Sequence, residues 1–353
     1  MAPSAVDIPP ASLPSDVKSI KATRPTIMHE PDSGFTKLSS GEKYHDFRDD
    51  LAEHGYAVIK DAIPMERALA YQQGAFAWLT SFDRGLDLDN PETWTAEHLP
   101  VQSKINTFTA YSVSHEKFMW DARMEPGVLK AFETMWGTSE LLVSFDALNI
   151  TFPNRKDVPH MAPWEHVDQS PLRRGLHCVQ GIINLSEAGP DDGGLVVYPG
   201  SHKLLEQYLE EATEPSSWTK ADFYPIRGTD LEYFTSRGLK PLKVVASPGD
   251  LIVWDSRTIH YGSEPTEKSN TIRTVIYATY TPAVLAKEEA LKVKKEIFEQ
   301  YGGTTHWPHD NINPRKNLPL RADGTVDPLN RLQPREMPEK TEQLLKLAGA
   351  MAY

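Results

Sequence analysis

The chain has 353 residues, 39% of them hydrophobic and 24% charged, which is enough apolar material for a sizeable core in one or two domains. Thirty-seven basic residues against 49 acidic ones give a formal charge of −12 with no block of one sign, which argues against nucleic acid or an anionic membrane as partner. No stretch approaches the roughly 18 uninterrupted apolar residues of a membrane span.

Residues 1–35 are rich in Pro, Ser and Ala without periodicity and predict a flexible N-terminal arm. The start lacks the basic end and apolar run of a secretory signal, so a soluble, cytoplasmic protein is expected. Ser40-Gly-Glu-Lys offers a helix start, and Tyr44, Phe47 and Leu51 recur at helical spacing until Gly55 stops the run. A short strand from Tyr56 follows, then helices over residues 65–82 and near 127–136.

Beyond Trp136 the pattern becomes strand-rich. Residues 141–152, 175–185, 194–198, 244–246, 251–254 and 272–280 read as strands separated by Pro-Gly, Asp-Gly and Asn-containing turns. Cys178, the single cysteine, falls inside one of them; it excludes a disulfide framework, and a thiol buried there is inert. An insertion over 204–240 begins with a Leu-rich helix, and a helix over 283–301 leads into a proline-punctuated tail with a last short helix over 339–347. The organisation expected is an arm (1–35), a core with an N-terminal helical layer (36–285) and a C-terminal helix with a wrapping tail (286–353). Without strand–helix alternation, this is a mainly β fold with flanking helices, suited to a jelly-roll, cupin-like barrel.

Trp164-Glu-His-Val-Asp-Gln places His166 and Asp168 two residues apart, on one side of an extended strand. With 12 histidines in the chain, a His-x-Asp pair is weak evidence of a metal site by itself, and a lone His260 is more often structural. Together, two imidazoles and a carboxylate would occupy one face of an octahedron and leave three positions open, as iron(II) oxygen chemistry needs; a structural zinc would normally be closed by four ligands. Arg273 opens the strand that follows. An arginine inside a barrel is costly unless a carboxylate meets it, and its planar fork suits the far end of a dicarboxylic keto acid.

His166-Val-Asp168-Gln169, the run Asp192-Gly-Gly-Leu-Val-Val-Tyr-Pro-Gly-Ser-His202-Lys, and Gly249-Asp-Leu-Ile-Val-Trp-Asp followed by His260 and Arg273 resemble the phytanoyl-CoA dioxygenase family over roughly residues 40–285. The resemblance implies a double-stranded β-helix and an enzyme using iron(II), 2-oxoglutarate and O₂, with succinate and CO₂ as co-products. It assigns the metal to His166, Asp168 and His260 and the keto-acid anchor to Arg273, and it leaves His202 as a turn histidine at a helix start. Asp168 speaks against a halogenase, in which that carboxylate position is vacated. The chain departs from the pattern at residues 179–185, where enzymes of acyl-CoA thioesters tend to carry an aromatic residue and this chain has Gln180, Ile182 and Asn184. Gln180 and Asn184 become candidate 2-oxoglutarate contacts.

The substrate expected is a small molecule, natural-product or amino-acid-like, oxidised at an unactivated C–H bond by hydroxylation, desaturation or ring closure. Lys104 and His115 are candidates for the mouth of the barrel, although a surface lysine and a structural histidine are the commoner fates. Arg173-Arg174 would draw in carboxylates or be solvated. The tail around Trp307 and His309 reads as a lid or an oligomer contact, the latter in a homodimer. The alternative is a metal-binding cupin-like protein without keto-acid-dependent catalysis; Arg273 discriminates the two.

Overall fold

The computed structural model describes residues 25–31 and 43–353. Most of the expected arm and the helix start at Ser40 lie outside them. The first helix, α1 (Phe47–His54), begins later than the spacing suggested, because Asp46 caps it by accepting from the Arg48 N–H. Gly55 ends it in the left-handed region (φ 81°); a Cβ there would lie 2.4 Å from Thr258 Oγ1 and 2.5 Å from His202 Nδ1. Helices α2 (Met65–Thr80), α3 (Lys117–Arg123) and α4 (Pro126–Trp136) follow. With seven residues, α3 is too short to leave a periodic signal.

The core strands are β1 (Tyr56–Ile59), β2 (Thr107–Phe108), β3 (Leu148–Thr151), β4 (His166–Val167), β5 (Val179–Asn184), β6 (Gly194–Val197), β7 (Tyr224–Pro225), β8 (Leu242–Lys243), β9 (Leu251–Asp255), β10 (His260–Ser263) and β11 (Arg273–Tyr277). They form two antiparallel sheets, ordered β1-β9-β5-β11-β3-β2 and β7-β4-β10-β6-β8. Between the sheets, Ile182, Ile252, Trp254 and Val275 of the larger one meet Leu195 and Val197 of the smaller. The opposite face of the larger sheet packs Ile183, Leu251, Val253 and Ile276 onto the N-terminal helices through Leu51 and Phe132. Burial on both faces explains why β9 is a near-continuous apolar run, and why β5 keeps Ile182 and Ile183 on opposite faces with Gln180 and Asn184 as its polar members. This is the expected jelly roll.

The insertion supplies α5 (Ser201–Ala212) and α6 (Thr229–Thr235), whose Leu205, Tyr208, Leu209 and Phe234 cover the outer face of the smaller sheet at Val167 and Ile259. The helix expected over 283–301 is confined to α7 (Glu288–Glu299), after Pro282 and a single 3₁₀ turn; α8 (Glu342–Leu347) comes near the end.

Two expected strands are broken at the same level. Residues 141–152 divide into Leu141–Val143 and β3, and residues 272–280 into β11 and Tyr280–Pro282. The gap at 144–147 is where the tail docks: Thr304 donates its N–H to the Phe145 carbonyl (2.8 Å), and its hydroxyl accepts the Phe145 N–H (2.9 Å). Thr304 belongs to a small hairpin pairing Gly303–Thr304 with Pro314–Arg315. Residue 244 is likewise not in a strand; the edge strand is β8, two residues earlier, because Lys243 rather than Val244 pairs with Val196.

Candidate active site

His166 on β4 and His260 on β10 are cross-strand partners in register, and Asp168 follows two residues after His166. The Asp168 N–H is held by the Ser256 carbonyl at 2.9 Å. One ligand atom from each of the three residues falls within 4.8 Å of the others. Nε2 of His166 lies 3.5 Å from Asp168 Oδ1, and Nε2 of His260 lies 3.3 Å from Oδ2.

Each ring is oriented by main chain. His166 Nδ1 donates to the Trp164 carbonyl (3.0 Å) and His260 Nδ1 to the Thr258 carbonyl (2.9 Å). A carbonyl only accepts, so the proton sits on Nδ1 and the Nε2 lone pairs converge. Burial, then the neighbouring His260, pulls the His166 imidazole down to about 4, so it is neutral at physiological pH. Burial alone would raise the Asp168 carboxyl, but His166, His306 and His260 outweigh it and hold the group below its ordinary range. Two imidazoles whose Nδ1 is turned to main chain and an ionised carboxylate, with convergent donor atoms, are the set an iron(II) or zinc ion requires, so the residues fit a metal. Trp164 stacks on the His166 ring (centroids 4.4 Å apart, 9° between planes) and shields it from one side.

The three residues line a cavity of about 170 Å³ between the two sheets, which Gln180, Asn149, Tyr277 and Arg273 also line. Arg273 is 5% exposed. Its Nη1 donates to Asn149 Oδ1 (3.1 Å), its Nε is buried without a partner, and among the described residues no carboxylate lies within salt-bridge reach of it. Burial, partly opposed by Tyr277, lowers its affinity for a proton. A desolvated guanidinium with an idle N–H facing a cavity is an anion site waiting for its anion.

Gln180 lies at the cavity, but its amide donates to Asp168 Oδ2 (2.9 Å), orienting the carboxylate. Asn184 does not reach the cavity. It ends β5 beyond the site, where its amide donates to the Ser186 and Ser247 carbonyls (2.6 and 2.9 Å) and closes the turn before β9. It shares the inward face of β5 with Gln180, and periodicity cannot tell how far along the barrel the cavity extends.

Lys104 lines the cavity, as expected of the mouth. His115 does not: it is fully buried among Trp120, Phe145 and Phe298, bonds the Gly302 carbonyl (2.8 Å) and is pushed by burial to about 3. Arg173 and Arg174 are buried, not solvated; Arg173 pairs with Asp222 and Asp310 and lies 4.2 Å over the Trp307 ring, tying the tail to the loop after Asp168. His202 begins α5.

Asn149, Tyr277, Asp146 and Arg315 also line the cavity and escaped the sequence. Asn149 and Tyr277 had a findable signal, a polar group at an inward position of a barrel strand. Arg315 had none, because only the tertiary docking of the hairpin brings it there.

A jelly roll carrying two histidines and one aspartate on adjacent strands, with an unpaired arginine across the cavity, defines the class of non-haem metal oxygenases that use a keto acid. The chain matches the model of the phytanoyl-CoA dioxygenase family over residues 51–274 and belongs to that family. It is thus an enzyme, an iron(II)- and 2-oxoglutarate-dependent oxygenase. A relative from Aspergillus versicolor, Ava biosynthesis cluster protein O, is 41% identical over 273 residues, 76% of this chain and 87% of the relative. Among solved structures, EctD from S. alaskensis with bound Fe superposes with a TM-score of 0.50 at 16% identity, covering 74% of this chain and 85% of that one, a likeness of fold alone. No helix among the described residues is long and apolar enough to cross a membrane.

Proposed function

We propose that His166, Asp168 and His260 hold the iron(II), that Arg273 binds the distal carboxylate of 2-oxoglutarate, and that the enzyme oxidises an unactivated C–H bond of a small natural-product intermediate. The observation that carries this is the buried Arg273 Nε without a partner, in the same cavity as the three convergent ligand atoms. When bound, iron(II) with 2-oxoglutarate supplies oxidising power from O₂, coupled to conversion of the keto acid to succinate and CO₂.

The chain's own residues do the rest. Gln180 fixes the Asp168 carboxylate, Asn149 holds one arm of the Arg273 fork, and Trp164 and Trp254 wall the metal from solvent. A wider trough of about 790 Å³ shares Asn106, Thr151 and Glu264 with the inner cavity, giving room for a substrate larger than the keto acid. The relative from a biosynthesis cluster supports a natural-product substrate over an acyl-CoA. So does strand β5, where Gln180 and Ile182 stand in place of an aromatic residue.

Anaerobic addition of iron(II) and 2-oxoglutarate should produce a weak visible charge-transfer band that is lost in His166→Ala. A native protein with no band would refute the assignment. Succinate release, screened over natural-product precursors and acyl-CoA thioesters, then identifies the substrate.

A further inference from the structure

Gly194 opens β6 with no side chain, and Lys243 uses the space. From the edge strand β8 its side chain crosses β6 to β10, donating to Ser263 Oγ (2.5 Å) and to the Asp192 carbonyl (2.6 Å). A Cβ on Gly194 would lie 3.1 Å from the Lys243 ammonium, 3.2 Å from its Cε and 3.8 Å from Arg273 Nε. The ammonium and the guanidinium therefore converge on one glycine, and Gly194, Ser263 and Arg273 all line the cavity.

Among the described residues, neither cation is paired with a carboxylate. The Asp192 carboxylate is committed elsewhere, accepting the Ser269 hydroxyl (2.6 Å) and the Gly189 N–H (2.9 Å). Among the described residues no carboxylate lies within 4.0 Å of Lys243. The charged groups facing it are Arg273, which repels it, and Asp192, which attracts it. Burial, then Arg273, pulls the ammonium down to about 8. Two desolvated cations side by side are costly unless an anion joins them.

We propose that Lys243 is the second cation of the keto-acid pocket, acting with Arg273 on the distal carboxylate of 2-oxoglutarate by its charge, while the Ser263 hydroxyl that holds it donates to the Gly194 carbonyl (3.2 Å). The proposal rests on the assignment of Arg273 as keto-acid anchor. Lys243 is a positioning residue in this scheme. The competing role, pinning the edge strand β8 to the barrel, predicts no preference for a dicarboxylate.

The test is anaerobic titration of the iron(II)-loaded full chain, by tryptophan fluorescence and the visible band, with 2-oxoglutarate and with 2-oxopentanoate, which chelates alike but lacks the distal carboxylate. Lys243→Met should weaken 2-oxoglutarate by about tenfold or more, through loss of a desolvated charge beside the carboxylate, and leave 2-oxopentanoate unchanged. Lys243→Arg should restore the affinity and, between about pH 7 and 9, lose the decline that the wild type shows as its lysine deprotonates. Equal weakening of both keto acids, or of neither, overturns the proposal. So does an Arg variant with the wild-type pH profile, which keeps the test open even if the Met variant fails to fold. Arg273→Gln separates the two ideas: if it leaves 2-oxoglutarate affinity intact, the anchor assignment fails; if it abolishes the affinity while Lys243→Met does not alter it, only the role of Lys243 fails.

Discussion

Replacing Asp222 by Asn should destabilise the protein and weaken its metal site together. Asp222 Oδ1 accepts from Arg173 Nε (2.9 Å) and from the Ser170 N–H (2.9 Å), and Oδ2 accepts from Arg173 Nη2 (3.2 Å) and Asn311 Nδ2 (2.5 Å). The two side chains are 4% and 3% exposed, so water cannot replace a lost partner. Breaking a buried ion pair from one side costs about 3–5 kcal/mol. The lower end, about 3 kcal/mol, applies to Asn, which retains an oxygen for Ser170 and leaves Arg173 its contact with the half-exposed Asp310. Urea denaturation followed by tryptophan fluorescence measures the loss, with Trp307 against Arg173 as a local reporter. Because Ser170 is two residues from Asp168, iron(II) affinity should fall as well. Adding Arg173→Met removes the stranded charge, so the double variant should be more stable than Asp222→Asn alone. A loss below about 1 kcal/mol, or a double variant with simply additive losses, would refute the claim that a desolvated charge pair anchors this loop.

Gln180→Leu removes the hydrogen bond to Asp168 and should lower iron(II) affinity about tenfold in a chelator competition, with little change in melting temperature. Gly249→Ala forces a Cβ to 2.1 Å from the Ile63 carbonyl at φ 96°, and should lower stability by more than about 2 kcal/mol in denaturation. Lys294 is fully buried against the Val143 carbonyl and the Phe145 ring, and burial, then Arg123, lowers its ammonium to about 7. The unfolded chain binds that proton up to its ordinary value near 10.5. Between those limits the unfolded state holds more protons, so wild-type stability should rise with pH relative to Lys294→Met, by up to about 1.4 kcal/mol per unit. A flat difference curve would show that the ammonium stays charged in the fold.

The parts of this enzyme written locally in the chain were legible in it. His166-x-Asp168 on an extended strand, the Pro-Gly-Asp turn before β9 and Arg273 opening β11 are short-range patterns, and the barrel sets them face to face. The insertion helix α5 and the cap at Gly55 were equally local. What escaped depends on distant pairing. The gap at 144–147 could not be seen in a run of apolar residues, because it is defined by Thr304, about 160 residues on, filling the place of a strand partner. Asn184 was misplaced because alternation gives the face of a strand and not the depth along it. Arg173-Arg174 read as a carboxylate-attracting or solvated pair because the counter-ions of Arg173, Asp222 and Asp310, come from the insertion and the tail. Lys243 gave no signal, since only the fold discloses that a missing side chain at Gly194 is the path of another.

The imidazoles of His166 and His260, proposed as metal ligands, depend on no replaceable side chain for their tautomer. Their acceptors are the carbonyls of residues 164 and 258, two positions upstream in each case. Every amino acid carries that oxygen, so substitution at either position leaves the proton on Nδ1 wherever the backbone path is kept. The wiring of the proposed metal site is in this sense protected from point mutation, whereas the walls of the cavity around it, Lys104 and Arg315 among them, contribute through their side chains. A change of wall side chain can therefore alter what the cavity accepts without altering how the two Nε2 atoms are presented.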